Sequence, residues 1–413
     1  MTVLIAGGGI AGLTLGLTLH QIGVPFRIFE AVRELKPLGV GINIQPNAVR
    51  ELMDLGLGPE LDRIGVRTRQ YGFYSKLGKT IWEEPRGTFA GYDWPQYSIH
   101  RGRLQMLLYE VLCVRAGAGC VETSARAIGF EGARLLLEDG RQVQGDVIVA
   151  ADGIHSAIRA QMVPDEGAPI WDGAILWRGT SMAKLFFGGG AMVLIGHDTQ
   201  RLVAYPISEA DEETGLAEIN WIAELRVDPS HGWKKEDWNR GADLADFAPD
   251  FADWRFDWLD VPALIAGAQA VYEYPMVDRD PLEQWTHGPV TLMGDAAHPT
   301  YPVGSNGASQ AIMDARMIGA KILHHGVGAA ALEAYEAEMR PLTTGVINAN
   351  RGAGPDAILQ KVEDLCGGRF ERIDDVISQE ALADHAARYK AVAGFSIEAL
   401  NARPRLIAEG ARF

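Results

Sequence analysis

The stretch that most constrains the fold lies at the very start of the chain. Val3-Leu4-Ile5-Ala6 is a short apolar strand that runs straight into Gly7-Gly8-Gly9-Ile10-Ala11-Gly12. A helical spacing of apolar residues follows (Leu13, Leu17, Ile22) and stops at Gly23; Val24 to Phe29 then reads as a second strand ending in Glu30. Strand, glycine turn, helix, strand and terminal acid make a dinucleotide-binding βαβ unit, which commits this region to a parallel sheet covered by helices. Gly7 makes the tight turn, Gly9 admits a pyrophosphate, and Gly12 lets helix and strand pack closely. With Ala11 in the turn and Ala31 after it, Glu30 is placed to accept the hydroxyls of an adenosine ribose. The unit by itself fits NAD and FAD equally.

Two further apolar strands end in turns of the same chemical kind. Asp146 to Ala151 is closed by Asp152-Gly153-Ile154-His155-Ser156-Ala157-Ile158-Arg159. Asp152 there either caps the next helix or faces a ligand, and Ser156 and Arg159 share one helix face. Val290 to Met293 runs into Gly294-Asp295-Ala296-Ala297-His298, then the loop Pro299-Thr300-Tyr301-Pro302-Val303-Gly304-Ser305-Asn306-Gly307, then a helix beginning near Ala308. Prolines stiffen this loop, its glycines let backbone approach a flat ligand, and the helix start offers unpaired N–H groups to developing negative charge. Between these motifs, Gly39-Val40-Gly41-Ile42 either lies against a flat ring or is a softened turn. Arg101 opens a helix, where its charge opposes the dipole unless an anion lies nearby. Arg103 reads as solvated, and the lone His100 is given no role.

Charge and length bound the partners. The chain has 413 residues, 47% hydrophobic and 22% charged, with a formal net charge of −16. Such an acidic balance argues against nucleic acid and anionic membrane surfaces. Three cysteines without metal-ligand or redox spacing read as reduced thiols, and no metal site is expected. No apolar run reaches membrane-spanning length and the first strand begins at once, so a cytoplasmic protein is expected.

Taken together, the three signatures (Gly7–Gly12, Asp152–Arg159, and Gly294-Asp295 with the Pro302 loop) resemble those of the single-component, group A flavin aromatic monooxygenases, the 4-hydroxybenzoate hydroxylase-like superfamily. Stretches such as Pro37–Pro46, Gln96–Gly102, Leu202–Ser208, Tyr274–Leu282 and Asn306–Ile312 are most similar to the phenazine-modifying members acting on 5-methylphenazine-1-carboxylate. Two departures stand out: Ala150 replaces the usual glycine before Ala-Asp-Gly, and Thr300-Tyr301-Pro302 replaces the commoner Pro-Pro form.

The resemblance implies an α/β chain: a Rossmann-like FAD-binding domain, an inserted antiparallel substrate sheet and a C-terminal helical tail. The expected division is FAD domain 1–72, 97–165 and 278–345, substrate domain 73–96 and 166–277, and tail 346–413. It implies non-covalent FAD held by Gly7, Gly9, Ala11, Gly12, Glu30, Ala31, Gly41, Ile42, Arg101, Asp152, Arg159, Gly294 and Asp295. Pro302, Gly304, Ser305 and Asn306 would lie along the flavin edge. With no second fingerprint, NAD(P)H would bind transiently. O₂ would react at flavin C4a, and the resulting hydroperoxide would hydroxylate a planar aromatic or heteroaromatic ring without a protein general base. N-hydroxylation, decarboxylative hydroxylation, epoxidation, Baeyer–Villiger insertion or a binding module without turnover are the alternatives.

From 166 to 277 the texture changes. Of ten tryptophans, Trp171, Trp177, Trp221, Trp233, Trp238, Trp254 and Trp258 fall here. Ile175–Gly179, Met192–Gly196, Leu202–Ile207 and Ile219–Arg226 read as strands of an antiparallel sheet. Trp177, Tyr205 and Tyr301 are the expected substrate contacts, forming an aromatic slot. Beyond Pro341 the chain reads as helical, over Pro355–Cys366 and Ser378–Val392 with Ser378 as N-cap. This tail either covers the adenosine end or makes a homodimer contact.

Overall fold

The computed structural model describes residues 1–228, 241–352, 354–392, 394 and 396–413; Trp233 and Trp238 lie outside them. Val3–Ala6 is the centre of a six-stranded sheet, flanked by Phe26–Phe29 on one side and Val147–Ala150 on the other, all parallel. Val121–Glu122 and Val290–Leu292 extend it in parallel, and Thr286–His287 closes one edge antiparallel. The apolar runs Val3–Ala6, Val147–Ala150 and Val290–Leu292 are buried along their whole length, as expected for parallel strands covered on both faces. The first helix, Ile10–Ile22, packs against Gly307–His325, and Arg101–Ala116 lies beside it.

The inserted region folds into a seven-stranded sheet ordered Ala268–Asp278, Ile170–Lys184, Leu216–Arg226, Gln200–Pro206, Ala191–His197, Gln70–Tyr74 and Thr80–Pro85. It is antiparallel except where Ala191–His197 meets Gln70–Tyr74 in parallel. That pair joins pieces far apart in sequence, so no hairpin dictates its direction. The sheet has two covered faces. The outer carries Trp177, Trp221, Ala204 and Val193 against Phe247, Phe251 and Leu264. The inner carries Tyr71, Phe73, Met192, Leu194 and Tyr205, and turns towards the FAD-domain side and the tail.

Several of the expected boundaries cut through elements. The 72/73 division falls inside Gln70–Tyr74, 96/97 inside Gln96–His100, 277/278 inside Ala268–Asp278, and 345/346 inside the helix Ala329–Asn350. The elements are continuous at these positions, so no loop or linker composition marks them.

The tail is helical as expected, over Ala357–Cys366, Gln379–Val392 and Ile397–Ala402, with Ser378 Oγ accepting from the Ala381 N–H at 3.2 Å. Within this chain its helices lie on the substrate sheet. Ile358, Leu359, Val362 and Leu382 pack on the inner face of the substrate sheet. The last residues then return to the FAD domain: Ile407 is buried in its core, and the Phe413 N–H donates to the Ile22 carbonyl at 2.8 Å. Among the described residues, no helix is long and apolar enough to cross a membrane.

If that return is a packed contact, Ile407→Ala removes buried apolar volume and costs about 2–4 kcal/mol. The thermal midpoint should fall measurably by calorimetry while the far-ultraviolet spectrum stays unchanged. An unaltered midpoint would show that the terminal segment is not docked.

Candidate active site

Three strand ends converge at the carboxyl edge of the parallel sheet, and glycine makes the convergence possible. Gly7 adopts φ +106°, and a Cβ there would collide with the Ala151 carbonyl, so the first and second turns touch. A Cβ on Gly12 would strike the Gly7 carbonyl oxygen, whereas one on Gly9 would meet nothing within 4 Å. The turn is tight where helix and strand meet and open where a pyrophosphate would approach. At the end of the second strand, Glu30 Oε2 accepts from the Gly8 N–H at 2.6 Å and Oε1 from the Val32 N–H at 2.8 Å. Its carboxylate is fixed beside the turn, next to half-buried Ala31.

Arg101 starts its helix with its backbone N–H bonded to the Val40 carbonyl, and a Cβ on Gly39 would pack 3.6 Å from its Cδ. The side chain keeps exposed surface, yet the protein around it lowers its pKa against the opposing pull of Asp295. Asp295 shows the converse: its surroundings raise its carboxyl pKa against the pull of His298 and Arg101. The two charges therefore sense each other across the hollow formed by the three turns. Gln105, one turn after Arg101, donates to the Gly8 carbonyl at 2.9 Å and ties the two helix starts together. Its i+4 spacing was the available signal. His100, given no role from sequence, caps this helix: its Nδ1 accepts from the Gly102 and Arg103 N–H groups.

Asp152 meets its capping reading. Oδ2 caps the following helix at Ala157 (3.0 Å), while Oδ1 is buried without a hydrogen-bond partner. Arg159 corrects its expected role. It is 1% exposed, with Nη1 donating to the Ala296 and Ala297 carbonyls at 2.9 and 2.8 Å and the rest of the guanidinium on Glu166 and the Asp280 carbonyl. Its donors are spent on protein, so it braces the Gly294–Ala297 turn from beneath and does not reach a cofactor.

Above that brace, Asp314 Oδ2 accepts from the Gly294 N–H at 2.9 Å and from His298 Nε2 at 2.6 Å. Gly294 itself takes φ +59°. A carboxylate within the otherwise apolar run Ile312-Met313-Asp314-Ala315 was the sequence signal for this clasp. Further along, Gly304 (φ +71°) and Ser305 (φ +55°) form a left-handed kink at the flavin-edge loop. Ser305 pays strain there that a glycine would not. The kink is pinned from the tail: Asn306 Nδ2 donates to the Tyr389 hydroxyl at 2.6 Å, and that hydroxyl donates to Asn350 Oδ1 at 2.9 Å. Asn350 in turn donates to the Tyr301 carbonyl at 3.2 Å. Pro302 is exposed at the loop tip, and the helix Gly307–His325 starts with no side-chain cap, leaving its first N–H groups facing the site.

Gly41 and Ile42 lie in the strand Gly41–Ile44. The Gly41 N–H donates to Asn220 Oδ1 at 2.7 Å, and Arg178 donates to its carbonyl at 3.1 Å. A Cβ at 41 would lie 2.7 Å from Asn220 and 2.8 Å from Tyr205. Glycine is needed here because the substrate sheet approaches the FAD-domain strand.

The expected aromatic slot does not assemble. Tyr205 lies on the inner face, and Tyr301 packs with Leu176, Ile222, Tyr274 and Met276 on that same side. Trp177 points outward and stacks on Phe247 at 4.9 Å. Side chains alternate along a strand, so Leu176 and Arg178 face Tyr205's side and Trp177 cannot. A narrow pocket, partly open to solvent, does adjoin the loop. Tyr71, Phe73 and Met192 line its sheet side, Gly304 and Ser305 its loop side, and the helix Gln379–Val392 the side opposite.

A glycine-cleared turn, a carboxylate fixed at the end of the second strand and an uncapped helix start together suit a dinucleotide such as FAD. The fold and site define an FAD-binding flavoprotein. The chain belongs to the FAD binding domain family, whose pattern matches residues 1–167 and 270–350. It is 42% identical over 361 residues to phenazine 1,6-dicarboxylic acid hydroxylase PhzS of Lysobacter antibioticus, spanning 84% of this chain and 89% of that one. Against 3-amino-4-hydroxybenzoate 2-monooxygenase PtmB3 of Streptomyces platensis the identity is 33%, over 90% and 94% of the two chains. Among solved structures, Klebsiella pneumoniae HpxO complexed with FAD and uric acid shares the fold, with a TM-score of 0.69 at 21% identity over 96% and 94%. This protein is an FAD-dependent monooxygenase.

Two expectations follow from the geometry. Arg101→Ala should weaken FAD retention by ten- to a hundred-fold, the effect of losing one charge-assisted contact of ~1.5–3 kcal/mol. Arg159→Ala should lower stability first, with FAD loss tracking unfolding; FAD titration beside thermal melts separates the two, and equal FAD affinity in Arg101→Ala and the parent would refute the assignment.

The second concerns pH. Burial disfavours the His298 imidazolium, but the Asp314 carboxylate outweighs it and raises the pKa above 6.5. A raised native value means that the stabilisation is complete below pH 6.5 and is lost as pH climbs through the native pKa. His298→Asn should therefore destabilise the enzyme by about 3–5 kcal/mol at acidic pH, where it breaks a buried pair, and by less at alkaline pH. Thermal midpoints of parent and variant across that range check this. A pH-independent gap would rule out a charged His298.

Proposed function

We propose that the pocket beside the Gly304–Ser305 kink holds the organic substrate, a planar aromatic or heteroaromatic ring, which the enzyme hydroxylates at the expense of NAD(P)H and O₂. The observation that carries this reading is the pocket's composition: the flat side chains of Tyr71 and Phe73, with Met192, adjoin the loop that would run along the flavin edge. Apolar walls with a few polar groups are the usual make-up of a small-molecule site. The printed activities of the two relatives, on a phenazine dicarboxylic acid and on an aminohydroxybenzoate, agree with a flat ring.

Bound FAD, once reduced, supplies the oxygen-activating chemistry. The chain's own residues supply orientation and dryness. Asp295 would hold ribityl hydroxyls, Arg101 would serve the pyrophosphate with the Asp152 turn lying beside it, and the uncapped helix start at Gly307 would favour negative charge at the flavin edge. Tyr205 and Tyr301 would close the inner face of the sheet over the ring. Tyr389, through Asn306 and Asn350, would keep the Gly304–Ser305 kink at a fixed distance from the substrate. No side chain is assigned as a general base.

Planar phenols and N-heteroaromatic acids should stimulate NAD(P)H oxidation and yield a product heavier by one oxygen on mass measurement. Tyr389→Phe frees the kink, and small displacements are expensive in oriented reactions. The variant should release severalfold more peroxide per product than the parent. Product formation without any aromatic preference, or an unchanged peroxide ratio in Tyr389→Phe, would contradict this reading.

A further inference from the structure

The substrate sheet carries three arginines on its strands, and one of them is unlike the other two. Arg201 bonds Glu224 and Asp356, and Arg226 bonds Asp172 at 2.8 Å. Among the described residues the half-buried Arg178 has only uncharged partners. Its Nη2 donates to the Gly41 carbonyl at 3.1 Å, and its guanidinium carbon lies 5.6 Å from the centre of the Tyr274 ring. The Tyr205 hydroxyl is the third, and Nε is buried without a hydrogen-bond partner. A guanidinium held by a carbonyl, a ring face and a hydroxyl keeps its whole charge for whatever else lies beside it.

What lies beside it is the cofactor hollow. The protein packed around Arg101 lowers the pKa of that residue, Asp295 pulls the other way, and Arg178 adds to the lowering. Asp295 thus answers Arg101, and the positive charge of Arg178 is left over. On its other side Arg178 meets Tyr205, which shares a sheet face with Tyr71 and Phe73. Burial pushes the Tyr205 hydroxyl up to about 12 against the pull of Arg178. The guanidinium is therefore in reach of both the Arg101 end of the hollow and the inner face of the sheet.

Asn220 reinforces the placement. Its Oδ1 accepts from the Gly41 N–H at 2.7 Å, which leaves Nδ2 as a buried donor with no acceptor. The substrate sheet thus grips Gly41 by both N–H and carbonyl, and each gripping side chain keeps a spare donor. Spare donors beside a fixed cation suit the carbonyl-bearing edge of an isoalloxazine. Two-electron reduction with uptake of one proton leaves that ring one unit more negative, so a cation beside it favours the reduced form.

We propose that Arg178 tunes the cofactor: the substrate sheet reaches across to Gly41 and sets an unanswered positive charge beside the flavin ring, which raises the reduction potential of bound FAD. Its effect is independent of where the organic substrate sits.

The potential is read on the FAD-loaded enzyme without NAD(P)H or substrate, by anaerobic equilibration with a dye of known potential while xanthine and xanthine oxidase supply electrons. Arg178→Gln should shift the balance towards oxidised FAD by about ten- to a hundred-fold, the range for one charge-assisted contact and a fall of about 30–60 mV for a two-electron couple. Arg178→Lys, which keeps the charge without the planar fork, should recover part of that fall. Arg103→Gln, which removes an exposed cation paired with Glu218, should leave the potential unchanged. Asn220→Ala separates tuning from a merely structural grip on Gly41. It frees the Gly41 N–H without altering charge, so it should move the ratio of reduced to oxidised FAD by no more than a fewfold. A variant that sheds FAD is titrated anaerobically with oxidised and with reduced FAD, and the ratio of the two affinities gives the same quantity. An unchanged potential in Arg178→Gln, or equal falls in Arg178→Gln and Asn220→Ala, would overturn the proposal. So would FAD binding in Arg178→Gln that weakens equally for both redox states, because that result places the guanidinium at the pyrophosphate, whose charge reduction does not alter.

Discussion

Everything at the site hangs from one buried carboxylate oxygen. Asp314 Oδ2 takes hydrogen bonds from both the Gly294 backbone and His298, so it fixes the beginning of the turn to the helix that follows the loop. Without it, the Gly294 amide in a left-handed turn would be an unpaired donor in a core lined by Trp285 and Tyr335. Arg159 holds the same turn from below through the Ala296 and Ala297 carbonyls. A strand end clasped from two sides leaves the Asp295 side chain little choice of direction. That rigidity lets one carboxylate face Arg101 from a different strand–helix junction.

Legibility from sequence followed the range of the interaction. The Rossmann-like sheet was readable because three of its strands, Val3–Ala6, Val147–Ala150 and Val290–Leu292, are short apolar runs that end in turns written in glycine and aspartate, all local signals. The cofactor class followed only from the resemblance that the three turns together bear to one flavoprotein family. Arg159 shows where local reading stops. Beside Asp152 it has the spacing of a ligand contact, but its partners Ala296, Ala297 and Asp280 lie far along the chain. Nothing within its own helix announces them.

Trp177 failed for a different reason. Its strand was readable, but which face met the flavin side was not, since both faces of this sheet are covered and both are apolar. Where one face is wet, hydrophobic alternation fixes direction; here Trp177 stacks on Phe247 and its neighbours Leu176 and Arg178 take the inner face. The tail posed the same difficulty in another form. Its helices could be read from spacing and caps, but an amphipathic helix states only that it is covered on one side, not by what.

The tail's placement links two tasks that could have been separate. One face of the helix Gln379–Val392 forms a wall of the pocket and, through Tyr389, pins the Gly304–Ser305 kink. The same face carries Lys390 to Glu84 on the substrate sheet. A ligand that presses on this helix therefore presses on the loop that would lie along the flavin, with no hinge between them. The Tyr389 hydroxyl bonds the Asn306 amide at 2.6 Å and the Val303 carbonyl at 3.5 Å, one on each side of the left-handed Gly304–Ser305 kink. With substrate in this pocket, its fit and the flavin-edge geometry would be set by the same side-chain contacts. A chemistry that wastes its oxidant whenever the ring and the substrate are misplaced has reason to place both under one helix.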